Sequence, residues 1–338
     1  MIEVKHLTKN YGRHTAVNDL SFTVEKGQIY GFLGPNGAGK TTTMSIMTGC
    51  LAATSGQVTI DGHDIFEEAQ EAKKLIGYLP EQPPLYLDRT PKEYLTFVGR
   101  AKGVPSAELN GQIDKIMHIT QIDSMKDRLI KNLSKGYRQR VGIAQALMGN
   151  PEVIILDEPT VGLDPRQIIE IRELIAKLGK DHTVILSSHI LSEVQAICQT
   201  ILIISNGKLV ACDTPENLEN LFAGTATVTV TADATRSELQ KIIEQAQPGA
   251  DVETLPGNEG HATAKIKAEK PEELCRSLFF AFAQQNKAIT QLTTSKASLE
   301  DIFIELTAAD KAETSAVPPA ETPADQPADT QEKEGTSA

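Results

Sequence analysis

The sequence is poor in the features that commit a chain to an oxidising compartment, a membrane or a nucleic acid. Its four cysteines, Cys50, Cys198, Cys212 and Cys275, are scattered without a C-x-x-C pair. They spell neither a zinc site nor a disulfide framework, so a reducing cytoplasm is the expected setting. Its seven histidines show no metal-ligand spacing, and no metal site held by the protein alone is expected. No apolar run approaches the roughly 20 residues that a membrane span needs, and the opening "MIEVKHLTKN" has no apolar signal region. No direct membrane insertion is expected, and any membrane role has to come through a partner. A basic excess is also missing: 33 Lys and Arg stand against 45 Asp and Glu, leaving −12. That balance argues against bulk attraction to DNA, RNA or anionic lipid, which needs a basic field to release counterions.

A chain of 338 residues exceeds the size at which one core keeps growing, so two folded units are expected. "IEVKHL" and "AVNDLSFTV" read as short strands, and "GQIYGFLG" as a buried strand running into a glycine loop. From "PPLYLDRTPKEYLTFVGRAKG" to "QIDSMKDRLI" the pattern turns mostly helical, a segment placed at about 84–148. "EVIILD" and "HTVILSSH" then return as continuous apolar strands, as expected of parallel strands covered on both faces. The fold class is α/β over residues 1–222.

After "NLENLFAGT" the order becomes strand, helix, strand, strand, helix, strand: "TATVTVTA", "RSELQKIIEQA", "DVETL", "HATAKIKAE", "PEELCRSLFFAFAQQ", "AITQLTTS". This is a split β-α-β order of the ferredoxin-like kind, placed as a small α+β domain at 225–307. Two readings stay open for it: a unit that binds a small regulator, or an appendage that braces a dimer or touches a permease. Residues 309–338 hold seven acids, two lysines and no aromatics. Such a Pro- and Ala-rich acidic tail cannot bury enough surface to offset ordering entropy and is expected to be disordered.

"GPNGAGKT", residues 34–41, matches G-x-x-x-x-G-K-[ST] and lies after a strand and before a helix. Gly34, Asn36, Gly37, Ala38 and Gly39 form a loop whose N–H groups wrap phosphate oxygens. Lys40 reaches the β and γ phosphates, Thr41 offers a hydroxyl to Mg²⁺, and Thr42 continues the helix start. "VIILDEP" is an apolar strand ending in two acids. Asp157 is placed to hold the Mg²⁺ shell and Glu158 to polarise a water attacking the γ-phosphate. His189 ends "TVILSSH", within reach of the same phosphate. A second anion site opens "NLSKGYRQRVGIAQAL", where Ser134 and Gly136 stand at a helix start whose first N–H groups lack internal partners.

The order of "GPNGAGKTT", "LPEQ", "LSKGYRQR", "VIILDEPTVGLDP" and "SSH" resembles the nucleotide-binding subunit of ABC transporters over residues 1 to about 222. The resemblance implies a P-loop NTPase cassette with a RecA-like core plus antiparallel β and helical subdomains, and an ATPase using ATP and Mg²⁺. It implies adenine stacking by Tyr11, and a Q-loop role for Gln82 in sensing Mg²⁺, the water and the transporter. Ser134 and Gly136 would belong to the signature motif, Asp164 would be the D-loop residue crossing to the other subunit, and His189 the switch histidine. Where the usual signature reads Leu-Ser-Gly-Gly-Gln, this chain has Lys135 and Tyr137 at the third and fifth positions. Its wording and the C-terminal "SLEDIFIELT" look like the ATPases of ABC-2 type exporters. The expected partners are a second copy, in a homodimer or pseudo-dimer with composite ATP sites, and ABC-2 type permease subunits docked near "PPLYLDRTPKEYL", on the cytoplasmic face of the cell membrane. The alternative is a soluble ABC ATPase acting on nucleic acid or ribosomes. The short span from Lys40 to Asp157, the single cassette and the acidic balance all count against it.

Overall fold

The computed structural model describes residues 1–221, 226–255, 261–268 and 270–296. The expected tail at 309–338 and the "SLEDIFIELT" stretch lie outside the described residues. The chain opens with β1 (Ile2–Tyr11) and β2 (His14–Val24), then β3 (Ile29–Leu33), which passes through the glycine loop into α1 (Lys40–Met47). Next come β4 (Ser55–Ile60), β5 (His63–Asp64), α2 (Ala69–Lys74) and β6 (Ile76–Leu79). A helical segment follows: α3 (Pro91–Ala101), α4 (Ser106–Ile119) and α5 (Lys135–Leu147). The core then resumes with β7 (Val153–Leu156), α6 (Pro165–Leu178), β8 (Thr183–Ser188), α7 (Leu191–Gln195), β9 (Thr200–Ser205), β10 (Lys208–Asp213) and α8 (Pro215–Leu221). The last elements are β11 (Ala226–Ala232), α9 (Arg236–Ala246), β12 (Val252–Leu255), β13 (Ala262–Ala268), α10 (Pro271–Gln284) and β14 (Ile289–Lys296).

The central sheet has the order β10-β9-β3-β8-β7-β6, with β10 antiparallel at one edge and the others parallel. Its strands are apolar on both faces because both are covered. Ile29, Leu33, Ile154, Leu156, Val184 and Leu186 point into the core shared with the helical segment. Tyr30, Phe32, Val153, Ile155, Ile185 and Leu202 alternate with them and face the antiparallel sheet β2-β1-β4-β5. This period of two lets one run of apolar residues serve two cores. The hairpins β4–β5 and β9–β10 turn at Asp61-Gly62 and Asn206-Gly207, each pair with positive φ at both residues. Asp-Gly and Asn-Gly are suited to such turns because their short or absent side chains tolerate that backbone region.

Among the described residues after 221, the strands form a separate antiparallel sheet of order β12-β13-β11-β14. Helix α9 packs on β12 and β13, and α10 on β11 and β14. Val228, Val230, Leu239, Ile243, Ile266, Leu278 and Phe282 form the core between this sheet and its two helices.

Candidate functional site

The site lies where strands of the central sheet end. β3 is buried along its length, and its chain leaves through Gly34 into a loop that needs glycine at defined points. At Gly39, φ is +101° and a Cβ would strike the Ala16 carbonyl oxygen, so only glycine lets the backbone approach this closely. The loop borders a cavity of about 440 Å³. It is lined by Asn36, Gly37, Ala38, Gly39, Lys40, Thr41 and Thr42, with Tyr11, His14, Ala16, Glu81, Glu158, Val161 and His189 around the rim.

Three chain segments meet here: the loop from Gly34 to Thr41, the end of β7 at Asp157 and Glu158, and the end of β8 at Ser187 to His189. Lys40 Nζ donates to the Gly34 carbonyl at 2.8 Å and stands 3.4 Å from Glu158 Oε1. Thr41 Oγ1 donates to Asp157 Oδ1 at 3.3 Å, and Ser187 Oγ donates to the same oxygen at 2.6 Å. The Glu158 N–H donates to Ser187 Oγ at 2.7 Å, while His189 Nδ1 lies 2.9 Å from Glu158 Oε2. Glu158 takes a left-handed φ of +47°, unusual for a residue with a side chain, and the Ser187 and His189 contacts hold it there. Asp157 is fully buried, and burial pushes its carboxyl above the usual carboxylate range. Its Oδ2 is a buried oxygen without a hydrogen-bond partner.

The sequence expectations meet this geometry unevenly. Asn36 to Thr42, Tyr11, Glu158 and His189 line the cavity, and Gly34 and Asp157 sit behind it. The Tyr11 ring is half exposed, with the Lys9 ammonium 5.2 Å from its centroid. Of the neighbours Glu81 and Gln82, both exposed, Glu81 lines the cavity and Gln82 does not. Ser187 is a residue that sequence reasoning missed. Its signal is a hydroxyl pair, Ser187-Ser188, closing the otherwise apolar strand β8.

Ser134, Gly136 and Asp164 are not brought to the cavity; they gather at a second place. Ser134 caps α5, its Oγ accepting from the Tyr137 N–H at 3.4 Å. Asp164 caps α6, its Oδ1 accepting from the Gln167 N–H at 2.9 Å. The Gln167 amide lies where a Cβ on Gly136 would be, and the Lys135 ammonium lies against Gly162. The two caps therefore share one patch, with Lys135 and Ser134 both exposed.

Among the described residues no helix is long and apolar enough to cross a membrane. Residues 17–161 match the ABC transporter family. The chain is 35% identical over 319 residues to an uncharacterized ABC transporter ATP-binding protein, YhcH, of Bacillus subtilis, covering 93% of this chain and 98% of that one. It is 31% identical over 312 residues to Nod factor export ATP-binding protein I of Cupriavidus metallidurans, covering 92% and 98%. Among solved structures, the dimeric structure of MJ0796, a bacterial ABC transporter cassette, superposes with a TM-score of 0.58 at 25% identity, covering 63% of this chain and 98% of that one.

Proposed function

This chain belongs to the ATP-binding proteins of ABC transporters, and from that premise we propose that it is the ATPase subunit of an ABC-2 type exporter, working as a head-to-tail pair of copies. One observation carries the pairing. Of the helix starts at Lys40 and at Lys135, the first lines the cavity while Ser134, Lys135 and Gly136 do not. The second is left for the γ-phosphate held by a neighbouring copy, which makes two composite sites.

In that pair the N–H groups of Gly37 to Thr41 wrap the ATP phosphates, and the Lys40 ammonium neutralises their charge. The Thr41 hydroxyl and Asp157 fit a hard cation, since the pair supplies oxygen donors and Asp157 Oδ2 is buried with nothing to bond. Thr41 and Asp157 would hold Mg²⁺ there, and its charge would help neutralise the phosphates. Glu158 accepts the proton of the water whose oxygen bonds to the γ-phosphorus as the bond to ADP breaks. His189, hydrogen-bonded to Glu158 Oε2, holds that carboxylate in place. Ser134, Gly136 and Asp164 of the opposite copy close the site, so that ATP joins the pair and hydrolysis releases it.

The permease is assigned to the helical segment. Tyr86, Leu87 and Phe97 are exposed there, with Tyr86 5.3 Å from Phe97 and 5.6 Å from Tyr94 between ring centroids. Exposed aromatics clustered in this way suit a protein partner. Docking places the subunit peripherally on the cytoplasmic face of the membrane. We assign the cassette to 1–222 and a ferredoxin-like accessory unit to 225–307, in line with the strand order β12-β13-β11-β14. ATP turnover with an affinity pull-down tests the reading. A transporter subunit brings down a multispanning ABC-2 type permease; recovery with polysomes instead would sink it.

A further inference from the structure

The mechanism above leaves one buried carboxylate unused. Glu193 sits on α7, is 5% exposed, and directs Oε2 at two hydroxyls. The Thr160 hydroxyl donates to it at 2.6 Å and the Ser188 hydroxyl at 3.0 Å. Ser188 Oγ in turn accepts the Ile190 N–H at 3.0 Å, so it is engaged on both sides.

The two donors come from the two chain segments that carry the hydrolytic pair. Thr160 lies two residues after Glu158, on the turn that follows β7. Ser188 directly precedes His189 at the end of β8. Helix α7 packs on β3 and β8, so the carboxylate is anchored to the central sheet. Glu158 and His189 touch at 2.9 Å in a strained stretch where Glu158 has positive φ. Ser187 secures that stretch from the Asp157 side and Glu193 from the far side.

We propose that Glu193 is a positioning residue for ATP hydrolysis: by gathering the Thr160 and Ser188 hydroxyls it fixes the Glu158 segment against the His189 segment. It touches neither nucleotide nor water. The inference rests on the assignment of Glu158 and His189 as the hydrolytic pair. A buried hydrogen-bonded group whose partners are removed leaves the remaining polar atoms unsatisfied, and the loops it joined move to recover their bonds.

The test is ATPase kinetics on the purified full chain carrying Glu193→Ala, Glu193→Gln, Thr160→Val and, as control, Glu158→Gln, with the affinity of a fluorescent ATP analogue measured alongside. Glu193→Ala is expected to lower kcat by about tenfold or more, as loss of positioning does, while the KM for ATP and the analogue affinity stay within about twofold. Glu193→Gln should restore kcat to within about threefold, because its amide oxygen accepts both hydroxyls as Oε2 does. Thr160→Val should lower kcat in the same direction, and it carries the test if Glu193→Ala does not fold. A purely structural role would instead lower folded fraction and nucleotide affinity together, with kcat per folded molecule unchanged, and would overturn the proposal. If Glu158→Gln abolishes turnover while Glu193→Ala and Thr160→Val do not reduce it, the Glu193 inference alone fails. If Glu158→Gln turns over like the parent, the assignment beneath it fails.

Discussion

Lys40 Nζ and Glu158 Oε1 face each other at 3.4 Å, with both side chains more than nine-tenths buried. The cation proposed to meet the phosphates and the acid proposed to activate the water are therefore paired with one another at the cavity. Removing one partner of a buried pair strands the other charge, which costs more than the pair contributes. Lys40→Met is thus expected to weaken ATP binding by more than about tenfold, since it removes the charge that meets the phosphates. It should also lower the melting temperature by several degrees; calorimetry with and without nucleotide reads both effects.

Glu158→Gln keeps the size of the side chain and the His189 contact but removes the proton acceptor. Turnover should fall by about 10²- to 10⁴-fold, the usual contribution of a general base. ATP should then accumulate between two copies, seen as a dimer on size exclusion. An unchanged rate with no ATP-held dimer contradicts the assigned role.

Ser134→Glu places a carboxylate at the start of α5, where the second anion site is proposed. The variant should lose ATP-held dimerisation while a single subunit still binds nucleotide, because Ser134 does not line its own cavity. Equilibrium binding and size exclusion separate the two effects. A variant that dimerises as the parent does rules out the composite site.

Glu81 lines the cavity, and its neighbour Gln82 does not. Gln82→Ala should leave nucleotide affinity within about twofold of the parent, as exposed substitutions usually do. Glu81→Ala removes a negative charge facing the phosphate loop and should raise ATP affinity measured without added Mg²⁺. A larger change in affinity for Gln82→Ala than for Glu81→Ala would contradict this ranking.

In the second unit, Glu238 completes a capping box with Thr235 at the start of α9 and meets Lys287 at 3.1 Å. The Thr235 hydrogen bonds hold its carboxyl at about 2, against an ordinary 4.5. The folded state therefore binds fewer protons than the unfolded one between those values, and stability rises with pH across that window. The contribution is fully present above about pH 4.5 and is lost as pH falls through about 2. The melting-temperature gap between the parent and Glu238→Gln should be full at neutral pH and close toward pH 2.

Much of the site was legible along the chain because its parts are local. "GPNGAGKT" announces a glycine loop between a strand and a helix, and β3 and α1 flank it as expected. The C-terminal strand and helix order follows the sequence pattern element by element from β11 to β14, since alternation and helical spacing are properties of short windows. The Asp61-Gly62 and Asn206-Gly207 turns carry equally plain signals, each joining the strands of a hairpin.

By itself, then, the sequence determined the glycine loop, the two acids at the end of β7, the helix start at Ser134, and the family to which these belong. Each depends on residues close together in the chain, where backbone geometry and periodicity act directly. Tertiary structure decided which neighbour in "EQ" faces the cavity, that Ser187 joins Asp157 to Glu158, and that Glu193 gathers Thr160 and Ser188. These depend on parallel register between distant strands, Leu79 beside Leu156 and Leu156 beside Leu186. Register is set by packing on both faces of the central sheet, and no window of sequence contains both partners of such a pair.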